Sequence, residues 1–341
     1  MIIKLLSSRV ALVSIFACLI AAGLDSNILA QGGPGQPNIS ADEENLAKAI
    51  VSAPDVAAKL KAAAELIKKY PKTSLRPRVA RALVDQIAGV SDAPQKITYA
   101  QEYRGTFNEP SEQQLIMPVL IGGYAAAKRS DEAFSAASEF LTRSPDSLEV
   151  LITLVSVGTE LAKQQNVKFV PQTLQYAAHA IELLEGDKKP ADMDDAGWQQ
   201  FKTSTLPGVY QSMGLLNLVK GDHAEAKARY ARAAELAPRD PFNYVMLGAI
   251  LNEEYQQDAK VYQAMPDSQA KRDALPKVLS KLDAVIDSYA RMIALSEGNA
   301  TLEQVRQQYL QDIEAYYKYR HNNSTAGMQE LIDKYKVAAK P

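Results

Sequence analysis

Apolar residues recur at helical spacing through most of this chain, and the stretch from Pro207 to Asp240 shows the pattern most clearly. One apolar helical face consists of Tyr210, Met213, Gly214 and Leu218. Gly221 then favours the left-handed cap that ends a helix, and Asp222 follows as a typical N-cap for the next helix. That second helix ends before Pro238, and its apolar face consists of Ala226, Tyr230, Ala233 and Leu236. The pattern predicts a pair of antiparallel helices.

The same pattern returns further along the chain at a fixed offset of 34 residues (244 − 210). The matching pairs are Tyr210 and Tyr244, Met213 and Leu247, and Gly214 and Gly248. A period of about 34 residues is typical of a helix–turn–helix repeat. One such hairpin cannot bury both of its faces, so it needs neighbouring hairpins stacked against it.

The positions of a known motif, which asks for aromatic residues, Leu-Gly, alanine and proline, hold Tyr210, Met213, Gly214, Asn217, Ala226, Tyr230 and Pro238. This pattern resembles the tetratricopeptide repeat (TPR) family, although Met213 and Asn217 depart from its motif. The resemblance implies an all-α fold, a right-handed α-solenoid of stacked antiparallel helix hairpins. The best-matched repeats are 207–240 and 241–298, and the second is elongated. A non-repeating helical bundle with one accidental repeat is the alternative.

Caps and helix breakers predict about fourteen helices and a short last one. Two of these are predicted as separate helices, near 194–202 and 207–219. Strand signals are scarce, which favours an all-α chain. We expect a continuous solenoid from residue 40 to 341, with Gly186 to Ala196 as the best boundary if one exists. Residues 301–341 are expected to form a C-terminal cap, whose Tyr316 and Tyr317 pack inward or, alternatively, form a docking patch.

The first thirty residues are typical of a signal peptide. Lys4 and Arg9 accompany an apolar run from Val10 to Gly23, which is about 14 residues long and too short to span a bilayer. We expect cleavage near Ala30, with Gly23 as an alternative site and an uncleaved anchor as a further alternative. Residues 31–39 are expected to be a flexible tether. The chain is then exported, periplasmic or secreted, with no membrane span after removal of the signal peptide.

Composition argues against nucleic-acid binding. The chain carries 38 Lys and Arg against 40 Asp and Glu, and loss of Lys4, Arg9 and Asp25 with the signal peptide leaves 36 against 39. Such a balance lacks the basic stripe that neutralises phosphates. The one cysteine, Cys18, lies in the apolar run, so we expect no disulfide in the mature chain.

No motif predicts catalysis, a cofactor or a metal site. Only three histidines occur, and neither an HExxH motif nor a G-x-S-x-G elbow is found. With no cysteine left in the mature chain, a structural zinc site is not expected. The acidic stretch from Asp192 to Asp195 is expected to be a loop followed by an N-cap for the helix that carries Trp198. We expect that tryptophan, the only one in the chain, to be buried.

The TPR resemblance implies that the first helix of each repeat lines a concave surface, where an extended peptide or a partner helix would lie. The outward positions on those helices are Gln211, Leu215, Phe242, Val245, Asn252 and Glu253. Each of them could equally contact an adjacent helix. The clamp of Lys and Asn with which several TPR proteins hold a C-terminal carboxylate is absent from the matching positions.

These observations lead to the hypothesis of a protein–protein interaction scaffold that is not an enzyme and binds an unknown protein or peptide. A ligand-binding or cryptic catalytic helical protein of the envelope is one alternative. It predicts a deep pocket lined by several carboxylates or by His179. A rigid spacer in an envelope complex is another alternative, and it predicts no specific ligand in the groove.

Overall fold

The computed structural model describes residues 39–186, 189–190 and 193–336. The expected signal peptide, all but the last residue of the tether, and the end of the C-terminal cap lie outside the described residues. The chain divides into two compact units between Val157 and Gly158. This boundary lies within a helix, and not between Gly186 and Ala196, the stretch that the sequence pattern favours.

The N-terminal unit, up to Val157, is built from consecutive helices. These are α1 (Ala41–Ser52), α2 (Val56–Lys69), α3 (Arg76–Ala88), α4 (Ala93–Thr106), α5 (Pro110–Ala126), α6 (Ser130–Leu141) and α7 (Leu148–Lys163), which continues into the next unit. Helix α1 packs against α2, α4 against α5, and α5 against α6, while α2 also meets α4 and α3 meets α5. Contacts to the next helix and to the next but one are what stacked hairpins produce.

The C-terminal unit, from Gly158, continues the same construction. Its further helices are α8 (Val170–Glu185), α9 (Asp195–Lys220), α10 (His223–Leu236), α11 (Pro241–Ala264), α12 (Gln269–Leu295), α13 (Glu303–Arg320) and α14 (Met328–Asp333). Helix α9 packs against α8 and α10, α11 against α10 and α12, and α12 against α13 and α14. Trp198 is buried at the start of α9, where its ring stacks on Phe201.

The caps that the sequence predicts are present. Gly221 ends α9 with φ of 86°, a left-handed conformation that glycine adopts without steric cost. The side chains of Asp222, Asp240 and Asp194 accept backbone N–H groups at the starts of α10, α11 and α9, over 3.1, 3.0 and 2.7 Å. Ser40 forms the predicted capping box at the start of α1.

The prediction of two helices near 194–202 and 207–219 is wrong, because α9 runs through both stretches with Pro207 inside it. Proline has no amide hydrogen, so the Thr203 carbonyl one turn earlier loses its helical partner. Thr203 is an exposed residue, and a carbonyl at an exposed position can be hydrogen-bonded by water instead. The helix therefore tolerates the proline.

The same packing contact, a glycine against a tyrosine ring, occurs within each of the two best-matched repeats. A Cβ on Gly214 would lie 2.7 Å from the ring of Tyr230, and a Cβ on Gly248 would lie 2.9 Å from the ring of Tyr289. Both rings are fully buried. The other buried motif residues are Tyr210, Met213, Ala226, Ala233, Tyr244 and Leu247. Pro238 lies just beyond the end of α10. Glycines 34 residues apart, Gly214 and Gly248, thus each leave room for a tyrosine ring between two paired helices.

Within the described ranges the regular structure is α-helical, with no strand, and inside each unit most consecutive helices pack against each other. This confirms the predicted all-α solenoid of helix hairpins, and its right-handed sense stays a prediction. The second repeat is elongated as expected, since α11 has 24 residues and α12 has 27, against 14 in α10. None of the described helices is both long and apolar enough to cross a membrane.

Candidate partner-binding surface

Three first helices of successive hairpins, α9, α11 and α13, are connected by side chains. Gln211 on α9 donates its Nε2 hydrogens to Asp240 Oδ2 and Asn243 Oδ1 at the start of α11, over 2.6 and 2.8 Å. Tyr309 on α13 donates its hydroxyl to the Val245 carbonyl of α11 over 2.7 Å. These first helices together form the candidate surface for a partner.

A tyrosine cluster lies between α11, α12 and α13. Tyr289 and Tyr309 stack with their ring centroids 4.0 Å apart, and the absence of a side chain at Gly248 leaves room for both. Tyr316 follows at 6.3 Å from Tyr289 and meets the edge of Tyr255 at 5.7 Å. Tyr316 is therefore held in place by rings on two sides.

The accessible surface above this cluster consists of Asn252, Gln256, Asp312, Tyr316 and Tyr319, and we call it the tyrosine face. The Tyr316 hydroxyl donates to Asn252 Oδ1 over 2.7 Å and accepts from Gln256 Nε2 over 2.8 Å. Asp312, Tyr316 and Tyr319 are spaced by four and three residues, so they lie on one side of α13. Tyr319 is 65% exposed, an unusual position for a large aromatic side chain.

The phenols of this cluster are neutral hydrogen-bonding groups. Burial raises the pKa of Tyr316; the bond from Gln256 opposes this shift, and the charge of Asp312 adds to it. Burial also raises the pKa of Tyr255, and the nearby Tyr319 adds to that shift. Each hydroxyl therefore keeps its proton at neutral pH and remains able to donate it.

The six positions predicted to face a partner divide into two kinds. Leu215 and Val245 are only 3% and 4% exposed, so the expectation that they face outward is wrong. Helices α9 and α11 each have a packing helix on two sides, which buries almost their whole middle turns. The remaining four are half-buried.

Those four half-buried residues contact neighbouring elements. Gln211 and Asn252 bridge adjacent first helices, as described above. Phe242 packs edge-on against Tyr230, with the ring centroids 6.4 Å apart, and Glu253 Oε2 lies 3.3 Å from His223 Nδ1. The structure brings Asn252 into the tyrosine face, places Phe242 and Glu253 against α10, and joins Gln211 to the start of α11.

Sequence reasoning missed Gln256, Asp312 and Tyr319 as surface residues of this site. A signal for the last two existed, since Asp312, Tyr316 and Tyr319 share the helical spacing of one face. The sequence pattern places this stretch in the C-terminal cap, whose exposed glutamines are Gln304, Gln307, Gln308 and Gln311. The cap and the surface therefore share one helix, α13.

Two cavities in the N-terminal unit bear on the ligand-binding alternative. One is a narrow slot between α1, α2 and α3 lined by apolar side chains with Lys59 and Gln86, and its volume of about 10 Å³ holds at most one water. The other is an open depression of about 530 Å³ beside Tyr70, and Glu43 is the one carboxylate in its lining. Neither contains His179 or several carboxylates. Among the described residues, no group of three or more His, Cys, Asp and Glu is arranged to hold a metal ion.

Comparison with known proteins gives likeness of fold alone. No family model and no curated protein matches the chain. A thermophilic TPR protein of Thermus thermophilus is 12% identical, covers 69% of this chain and 98% of its own, and has a TM-score of 0.36. A tetratricopeptide repeat protein from Parabacteroides merdae is 12% identical, covers 86% and 98%, and has a TM-score of 0.40.

A third solved structure is a monomeric mutant of IFIT1 with the capped RNA m7Gppp-AAAA. It is 13% identical, covers 84% of this chain and 56% of its own, and has a TM-score of 0.32. All three TM-scores are low, so the description of the fold rests on the helix packing and the repeated glycine–tyrosine contact.

Proposed function

We propose that the chain is an exported, non-catalytic scaffold that binds a peptide or a partner helix across α9, α11 and α13. One observation carries this proposal. The three first helices are tied together by Gln211, Tyr309 and Tyr316, and the tyrosine face remains accessible on two of them, α11 and α13. A bound segment would lie across these helices and contact several repeats at once.

The tyrosine face has the composition of a binding surface. Tyrosine is enriched among the residues that dominate interface energies, because it buries a large area and loses few rotamers. Tyr316 is already fixed by its neighbours, which lowers the entropy lost on binding. Asn252 and Gln256 add amide groups that pair with the backbone of an extended segment.

A binding experiment tests the scaffold function. The mature chain would be immobilised and exposed to the periplasmic or secreted fraction of its own organism. We expect a retained protein that is lost with the double variant Gln256→Ala, Tyr319→Ala, since both side chains are exposed and their removal leaves the core intact. Val261→Ala is the matched control, because Val261 on α11 is 66% exposed and lies outside the tyrosine face.

Circular dichroism would establish that the double variant folds. A partner retained equally by the double variant would contradict binding at this surface. A mature chain that retains nothing reproducibly would contradict the scaffold function itself and favour a spacer.

Export is part of the same proposal and has its own test. The signal peptide, with cleavage near Ala30, directs the chain to the periplasm or the exterior. N-terminal sequencing of the native protein is expected to begin at Gln31. A start at Leu24 would place cleavage after Gly23, and a native chain that keeps residues 1–30 would contradict processing.

A further inference from the structure

The tyrosine face carries negative charge that its own surroundings leave unbalanced. In the described part of the chain, the Asp312 carboxylate has one hydrogen-bond partner, Gln308 Nε2 at 3.0 Å, and no lysine or arginine forms an ion pair with it. Glu253 next to Asn252 has its Oε2 3.3 Å from His223 Nδ1. No lysine or arginine is among the residues that form the tyrosine face.

The next two cations after Asp312 on α13 are already engaged elsewhere. Lys318 pairs with Glu314 one turn back on α13, over 2.6 Å. Arg320 makes two hydrogen bonds to Asp283 of α12, over 2.8 and 3.2 Å. Both cations are paired with carboxylates that do not belong to the tyrosine face, so neither of them neutralises Asp312.

The aromatic rings beside Asp312 favour the same kind of ligand. The faces of tyrosine rings attract lysine and arginine side chains, and the attraction grows when water is excluded. This chain uses that contact internally, since the Arg291 guanidinium lies 4.1 Å from the ring centroid of Tyr335 and 5.5 Å from that of Tyr244. Tyr319, which is largely exposed, offers an accessible ring of the same kind.

We propose that the segment bound on the tyrosine face is basic, with a lysine or arginine that pairs with Asp312 and lies against Tyr316 and Tyr319. This inference rests on the scaffold function proposed above. The proposed ligand is positively charged. A C-terminal carboxylate or an acidic tail would instead be repelled by Asp312 and Glu253. The amides of Asn252 and Gln256 then hold the backbone on either side of the basic residue.

Selection of random peptides on the immobilised mature chain provides the probe. Peptides of about 12 residues span roughly 40 Å when extended, enough to cross several helices. We expect the retained peptides to be enriched in Lys and Arg. The best binder and its analogue with Gln in place of every Lys and Arg would then be measured by fluorescence anisotropy.

Three variants separate the contributions. Asp312→Lys reverses the charge, and Asp312→Asn removes the charge but keeps an acceptor for Gln308. Asp267→Lys is the control, because Asp267 is an acid of the same unit whose side chain is 92% exposed and does not belong to the tyrosine face. We expect Asp312→Lys to weaken binding by about tenfold or more and Asp312→Asn to weaken it less. The control variant should change the affinity by less than about twofold.

Ionic strength supplies an independent readout. Raising the salt from about 0.01 M to about 0.1 M shortens the Debye length from about 30 Å to about 10 Å, so binding of the basic peptide should weaken and that of its Gln analogue should not. Retained peptides without an excess of Lys and Arg, or equal binding by Asp312→Lys, would overturn the basic ligand but leave the scaffold function standing. If no peptide is retained and no native partner is found, both are overturned.

Discussion

Gly214→Ala should destabilise the C-terminal unit although alanine is the better helix former. The new Cβ would lie 2.7, 2.8 and 3.0 Å from three ring carbons of Tyr230, closer than ordinary carbon contacts of about 3.5–4.0 Å. The Tyr230 ring cannot retreat easily, because it is fully buried and meets Phe242 edge-on. Helix α9 and helix α10 would have to separate instead.

The size of the effect follows from two opposing terms. Overpacking of a filled core costs about 1–3 kcal/mol, whereas replacing glycine by alanine inside a helix gains about 1 kcal/mol. Three ring atoms are involved, so the upper half of the steric range applies. We expect the free energy of unfolding to fall by about 1–2 kcal/mol.

Urea unfolding followed by the fluorescence of Trp198 measures this free energy of unfolding, since the only tryptophan of the chain is buried in α9, the helix that carries Gly214. Tyr230→Leu removes the ring, so in that background Gly214→Ala should become neutral or stabilising. Gly122→Ala in α5 is the control of opposite sign, because its Cβ meets no atom within 4 Å. It should gain about 0.5–1 kcal/mol by circular dichroism. An unchanged cost of Gly214→Ala without the Tyr230 ring would refute the reasoning.

Three further outcomes are expected. Gly158→Ala should cost about 2–3 kcal/mol, because its Cβ would lie 1.9 Å from the buried Thr173 Oγ1, and Thr173→Ala should recover part of that loss in urea unfolding. Arg76→Ala should cost about 3–5 kcal/mol by circular dichroism, because it leaves the buried Glu112 carboxylate without its two bonds of 2.6 and 2.9 Å; a cost below about 1 kcal/mol would contradict this. Burial pushes the pKa of Glu112 up, but bonds from Arg76 and a backbone amide outweigh it, so the folded pKa lies below the ordinary 4.5. The stability that this carboxylate contributes is therefore present above about pH 4.5 and lost as the pH falls through the lower folded value, and Glu112→Gln should flatten that acid slope.

The fold was predictable because its strongest signals are local. The cap residues Asp222 and Asp240, the left-handed Gly221 and the 34-residue recurrence all rest on features read within one or two hairpins. Pro207 shows the limit of such signals. A helix tolerates such a proline where the residue one turn earlier is exposed, and exposure depends on neighbouring helices rather than on the adjacent residues.

The candidate site was only partly predictable. Asn252 was identified from its place in the repeat, whereas Asp312 and Tyr319 lie on a helix that diverges from the motif. Leu215 and Val245 have the sequence positions of surface residues but are buried by helices that pack on two sides of α9 and α11. A repeat motif specifies which face packs within a hairpin and says less about the side that the next hairpin covers.

By itself, the sequence determined most of the helices, most of their ends and the recurring glycine and tyrosine positions that give the repeat its period, because each depends on residues close along the chain. The tertiary structure decided which side chains remain accessible and which charges are balanced. Tyr309 reaches the Val245 carbonyl, and Tyr316 reaches Asn252, across 64 positions of sequence. No local pattern encodes such distant pairings, since they arise only when successive hairpins stack and bring their first helices side by side.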